Sequence, residues 1–333
     1  HSLWSQHSLD ASRAALARLG DTPEERATKF ATDREKAYLH SVELLFGEGS
    51  QEERELLYSA ALGEIRESYP DDLDAAAFYA LSLITTSHGG RDYARYMRAG
   101  AIAEDVLAIN PTHPGALHYA IHSYDDPIHA PLGLRAAKVY AEVAPSAVHA
   151  LHMGSHIYFA LGMWELGYER NARSFEEDIG RRPSKNDPYG NQAYHALTWV
   201  IYALNQMDRD AEAAEHVALI QDQMTRHPAA SHRQNFIAGR ASYLVDTGNW
   251  DSPLASVQVD YDGSVLLCTH DWGKKLIVGN LNDQTIHELW NNDTMKQVRE
   301  SLAASKRNFL PCSGCDVDGT LMGKGHFASW MEY

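Results

Sequence analysis

The sequence predicts a mainly α fold: an α-solenoid of paired helices over residues 1–250, then a small α+β domain over residues 251–333. Three observations predict it. Residues up to about 250 are rich in Ala and Leu at helical spacing, broken by short punctuation. Within them a histidine-bearing segment recurs after 34 residues. Near Asp251–Ala255 the helical spacing gives way to a hairpin signal.

The helix starts come first. "YPDD" (69–72), "NPTHPG" (110–115) and "APSA" (144–147) each precede a helical run. Pro near the first helical position and Asp or Ser as a cap are the expected start signals. The repeat follows from the text after them. "GALHYAIHSY" (115–124) lies over "HALHMGSHIY" (149–158), so His118 pairs with His152 and His122 with His156. "NQAYHALTWVIYALNQM" (191–207) is the next unit. Matching Leu161 to Leu204 sets His195 at the His152 position and Trp199 at the His156 position, with the extra length in "RRPSKNDPYG" (181–190). Paired short helices repeating at about 34 residues are the tetratricopeptide signature. Beyond the solenoid, "VQVDYDGSVLLC" (257–268) reads as two strands around Asp262-Gly263.

Composition narrows the function classes. The chain is 44% apolar and 22% charged, the balance of a soluble globular protein. A formal net charge of -16 argues against nucleic-acid or anionic-membrane partners, which require basic patches. No apolar run is long enough for a membrane span. The chain opens His-Ser-Leu-Trp and reads as a processed product or a segment lacking its true N-terminus. Cys268, Cys312 and Cys315 all fall in the last quarter, two of them as "CSGC". An odd number cannot all pair internally, and C-x-x-C spacing fits a metal or cluster site in a reducing compartment, so a cytoplasmic location is expected. Nothing in the sequence sets an oligomeric state.

The segments "YPDDLDAAAFYALSL", "HPGALHYAIHSYDDPIHAPLGLRAAKVYAEVAPSAVHALHMGSHIYFALGMW" and "YHALTWVIYAL" resemble a group of bacterial tetratricopeptide-repeat proteins over roughly residues 1–250. The resemblance implies a tetratricopeptide-like α-solenoid, with an N-terminal helix pair missing here. It brings no catalytic mechanism with it.

In such an array the first helix of each pair lines the concave groove. His118, His122, His152, His156 and His195 are then expected to face one groove, on rungs about 10 Å apart. Imidazoles reaching across that gap can share a divalent metal, and an i,i+4 pair offers two ligands from one helix. The Glu of H-E-x-x-H is absent. Asp125 and Asp126 end one of these helices and offer oxygen ligands. Two other readings stand beside the metal: histidines satisfied by hydrogen bonds between helices, with Ala120 and Gly154 allowing close packing, and acid/base catalysis. Phe78, Tyr79, Tyr119, Tyr158, Tyr194 and Trp199 accompany the ladder, as inter-helix core or as the lining of a peptide or planar-ligand groove.

"DYDGSVLLC", "GNLNDQTIHELWNN" and "PCSGCD" resemble, in that order, the SPASM-type domain that follows the barrel in many radical-SAM enzymes. The resemblance implies a small α+β unit binding an auxiliary iron–sulfur cluster, with Cys268, Cys312 and Cys315 as thiolate ligands. Soft thiolates suit iron, and zinc with three thiolates and one His is the chemical alternative. The upstream cysteine of the pattern is missing from "NWDSPLASVQV", so either a non-cysteine ligand such as His270, Asp271 or Asp316 completes the site, or one iron is open, or no cluster is retained. No C-x-x-x-C-x-x-C occurs in these residues, which removes the ligands for a cluster that cleaves S-adenosylmethionine.

The expected function is a peptide- or protein-binding helical-repeat scaffold with a His-lined groove and a C-terminal cysteine site for an iron–sulfur cluster or zinc. The alternative is a metal-dependent enzyme using the groove histidines.

Overall fold

The computed structural model describes residues 8–228, 230–249, 258–259, 264–266 and 275–303, with isolated positions 306, 308, 309 and 313 beyond. Thirteen helices come first among them. They are α1 (Leu9–Ala17), α2 (Pro23–Ala27), α3 (Asp33–Leu45), α4 (Gln51–Ser68), α5 (Leu73–Thr85), α6 (Tyr93–Ile109), α7 (Pro114–Tyr124), α8 (Ala130–Val143), α9 (Val148–Ala160), α10 (Trp164–Gly180), α11 (Asn191–Gln206), α12 (Asp210–Arg226) and α13 (Ala230–Thr247).

Local chemistry sets the starts. Thr32 with Glu35 and Ser50 with Glu53 form capping boxes, each satisfying backbone donors at both ends of the box. Asp72 caps α5, and His113 caps α7 by accepting the Ala116 amide at its Nδ1 (3.2 Å), with Pro114 at the first helical position.

From α2 to α13 each helix packs against the next in the chain, giving α5–α6, α7–α8, α9–α10 and α11–α12 as successive pairs. The first helices α5, α7, α9 and α11 also touch one another in succession, so they form one layer of an α-solenoid. The core is threaded between the layers. Ile121, Met153 and Ile157 are fully buried in one cluster, and Leu197, Ile201, Val217 and Ile220 in the next. Small residues set the spacing. A Cβ on Gly154 would lie 2.8 Å from the Ala137 carbonyl oxygen, so glycine is what lets α9 close onto α8.

Toward the C-terminus, β1 (Gln258–Val259), β2 (Ser264–Leu266) and β3 (Ile277–Asn280) form an antiparallel sheet in the order β1-β2-β3. Gln258 pairs with Leu266 and Val259 with Val265. The short helices α14 (Ile286–Trp290) and α15 (Asp293–Ala303) follow, and Val265, Val278, Leu289 and Met295 make a separate small core. Strand β3 is not signalled in the sequence, because "IVGN" is too short to show alternation.

Candidate metal centre on the first-helix layer

Helices α7, α9 and α11 each split into an apolar side and an imidazole side. Leu117 and Ile121, Met153 and Ile157, and Leu197 and Ile201 enter the core. The intervening positions point their histidines along the layer toward the next first helix. Spacings of three and four keep them on one face of each helix.

Two groups result. In the first, one nitrogen each from His118, His122 and His149 lies within 4.8 Å of the other two. His118 and His149 face each other Nε2 to Nε2 at 3.2 Å. The His118 ring also stacks on Tyr140, centroid to centroid 5.4 Å. In the second, His152 Nε2 lies 3.0 Å from His156 Nε2 and 3.0 Å from His195 Nε2. Trp199 closes over this group at 5.0 Å from the His152 ring and 4.8 Å from the His156 ring. The two groups adjoin, with the His122 and His156 rings 5.8 Å apart.

Outer partners orient the rings. His152 is 1% exposed, and its Nδ1 sits 2.6 Å from Oδ1 of the fully buried Asn171 on α10. Asn171 Nδ2 donates to the Gly167 carbonyl at 2.8 Å, which fixes which way its amide points. Asp125 Oδ2 faces His122 Nδ1 at 3.4 Å and His156 Nδ1 at 3.6 Å, so one carboxylate serves both groups. Arg91 binds the other Asp125 oxygen at 2.6 Å and stacks over Tyr96 at 4.2 Å. Asp126 turns away, toward His129 Nδ1 at 2.9 Å and the Ile128 and His129 amides. The two acidic residues therefore orient histidines.

Electrostatics keep the imidazoles neutral. Burial pushes His122 and His156 down to about 3, and Asp125 opposes the shift only at His156. Burial, reinforced by neighbouring imidazoles, holds His118 and His152 well below the usual range and lowers His149. Burial alone lowers His195. A neutral imidazole has a lone pair to give a metal.

Beside the cluster opens a pocket of about 500 Å³. His149 and His195 line it with Trp199, Thr198, Gln192 and Asn235.

His149 belongs to this site although repeat matching passes over it. Its signal is the i,i+3 spacing to His152 within "HALHMGSHIY". Asn171 and Arg91 carry no sequence signal, since each acts across a helix boundary. Cys268, Cys312, Cys315, His270, Asp271 and Asp316 lie outside the described residues.

Fold and site together define a helical-repeat protein with a clustered imidazole array. Residues 252–316 match the SPASM family, described as an iron-sulfur cluster-binding domain. No curated protein matches. Among solved structures, a chain titled MamA 41-end from Desulfovibrio magneticus RS-1 is similar at 16% identity and a TM-score of 0.46, covering 60% of this chain and 99% of that one. The MamA RS-1 ArsTM double mutant is similar at 16% identity and 0.45, covering 58% and 96%. Among the described residues no helix is long and apolar enough to cross a membrane.

Proposed function

We propose that this chain is a peptide- or protein-binding helical-repeat scaffold whose groove carries a divalent transition metal. One observation supports this reading above the others: His118, His122 and His149, from two successive first helices, bring three nitrogens within 4.8 Å of one another. Neutral imidazoles suit zinc, copper, nickel or iron rather than calcium or magnesium. His149 belongs to both the trio and the pocket wall, so a segment in the pocket meets the ion's remaining coordination. A carboxylate, imidazole or thiol side chain would anchor there.

The test is titration of the EDTA-treated full chain with Zn(II). His118→Ala and His149→Ala should each abolish one bound equivalent, and a peptide library should be enriched in Zn(II) and not in EDTA. Zinc uptake unchanged in both variants overturns the reading.

A metal-dependent enzyme is the second reading. It is favoured by the pocket, because three protein ligands with an open position are the catalytic zinc arrangement. Metal-restored hydrolysis of esters or peptides, lost in His149→Ala, supports it.

At the C-terminus, the family match and a donor set of three soft thiolates fit an iron–sulfur cluster on Cys268, Cys312 and Cys315. His270, Asp271 or Asp316 would supply the fourth position, and zinc is the alternative occupant. Iron, sulfide and zinc analysis of anaerobically prepared wild type and Cys312→Ala separates the two.

A further inference from the structure

We infer that the face of α11 beside the pocket is a docking surface for an uncharged, proline-rich segment held as a polyproline II helix. The inference rests on the peptide-binding part of the function proposed above and makes no use of a metal.

Gln192, His195, Trp199 and Tyr202 follow one another along α11 at spacings of three, four and three, which places them in one stripe. The stripe is about 15 Å long at 1.5 Å per residue. One end of it is pocket wall, where Gln192, His195 and Trp199 are joined by His149 of α9 and Asn235 of α13. The other end is aromatic. The Phe159 ring lies 5.1 Å from Trp199 and 5.7 Å from Tyr202, and Trp164 lies 5.8 Å from Tyr202, centroid to centroid. Tyr202 is 37% exposed, so this ridge reaches the surface.

The indole is in place before any ligand arrives. The His152 and His156 rings lie against it at 5.0 and 4.8 Å, and Phe159 stacks on it with 21° between the planes. The second imidazole group is therefore the bed of Trp199. A ring fixed in this way gives up little freedom on binding.

Chemistry names the partner. No Asp, Glu, Lys or Arg lines the pocket, although the chain carries a net charge of -16. A charged ligand would lose its water there without gaining a counter-charge, and an uncharged one would not. Among the described residues, the Asn191 and Gln192 side-chain amides and the Trp199 indole N–H make no hydrogen bond to another residue, so they present free donors at the pocket. A polyproline II helix complements both features. It has no internal hydrogen bonds, its carbonyls accept from such donors, and its rings pack on aromatic faces. At 3.1 Å per residue, about five of its residues span the stripe.

Fluorescence anisotropy of fluorescein-labelled decaproline with the full chain tests this, against a Gly-Ser repeat of the same length. Decaproline should bind saturably, and equally in EDTA and in Zn(II), while the Gly-Ser peptide should not bind. Tyr202→Ala and Trp164→Ala should each weaken binding about tenfold or more. Tyr202→Phe keeps the ring and should retain it. Because Tyr202 is exposed, its variants should keep wild-type helicity by circular dichroism even where Trp164→Ala does not fold. No decaproline binding, with the peptide library still enriched in Zn(II), overturns this inference and leaves the scaffold reading in place. Decaproline affinity unaltered in Tyr202→Ala also overturns it, because the segment then docks elsewhere. Binding of cellopentaose and not of decaproline overturns it in favour of a sugar site. Neither decaproline binding nor an enriched library overturns both readings.

Discussion

The Nε2 atoms of His152 and His195 lie 3.0 Å apart although 43 residues separate them in the chain. The repeat spacing between the previous rungs is 34, and the surplus is taken up by the loop before α11. Helix α11 still returns to its place beside α10 and touches α9. Packing of a repeated helix pair, and not sequence proximity, brings the two imidazoles together.

Metal should therefore stabilise the helical array measurably. An ion at 100 times its dissociation constant adds about 2.7 kcal/mol to the state that binds it. For a domain of this size that corresponds to a rise in Tm of roughly 5–10 °C. Calorimetry of the EDTA-treated chain with and without Zn(II) reads this directly. The increment should shrink in His149→Ala, and an unaltered increment there would remove the first trio as its source.

Asn171 gives a sharper test of ring orientation. Asn171→Leu removes the acceptor behind His152 and leaves a buried N–H unpaired, which costs about 1–3 kcal/mol of stability. Asn171→Asp keeps an acceptor for Nδ1 and should lose much less stability. Equal losses in the two variants would mean that Asn171 fills space and does not orient the ring.

Much of the fold is legible in the sequence because its determinants are local. Pro114 after the His113 cap, the Thr32–Glu35 and Ser50–Glu53 boxes and the 3.6-residue periodicity are read within a few positions. The hairpin between β1 and β2 is legible for the same reason, while β3 exposes Ile277 and buries only Val278, too little pattern to read. The site is legible in part. Spacing places histidines on one face, but which nitrogen meets which depends on how α7, α9 and α11 pack. His149 pairs with His118 on the neighbouring helix, and Asn171 reaches His152 from a second helix, so neither contact leaves a trace in one sequence.

Gly154 ties the site to the packing behind it. A methyl group there would press on the Ala137 carbonyl, and backbone cannot step aside as a flexible side chain can. Gly154→Ala should destabilise the array by about 1–3 kcal/mol despite its better helix propensity. It should also push α9 away from α8 and weaken metal binding at the His118, His122 and His149 trio. Urea unfolding and Zn(II) titration of the same variant test the two effects. A stabilised variant would mean that the helices do not pack as closely as Gly154 permits.

Acid should weaken the N-terminal part of the array through Asp72. Its side chain caps α5 at the Ala75 amide (3.2 Å) and meets the Arg34 guanidinium of α3 at 2.5 Å. Burial raises the Asp72 pKa, but Arg34 and the capped amide outweigh it, and the net shift is downward from 3.8. The folded chain therefore holds fewer protons than the unfolded chain between the depressed value and 3.8. Stability from this group is complete above 3.8 and is lost as pH falls through the folded pKa. Asp72→Ala should cost about 1 kcal/mol near neutral pH, the usual value of an N-cap. The gap between variant and wild type should close as the pH is taken well below 3.8. Urea midpoints across that range measure it, and a gap that stays constant down to the lowest pH would show that the ionised carboxylate is not what joins α3 to α5.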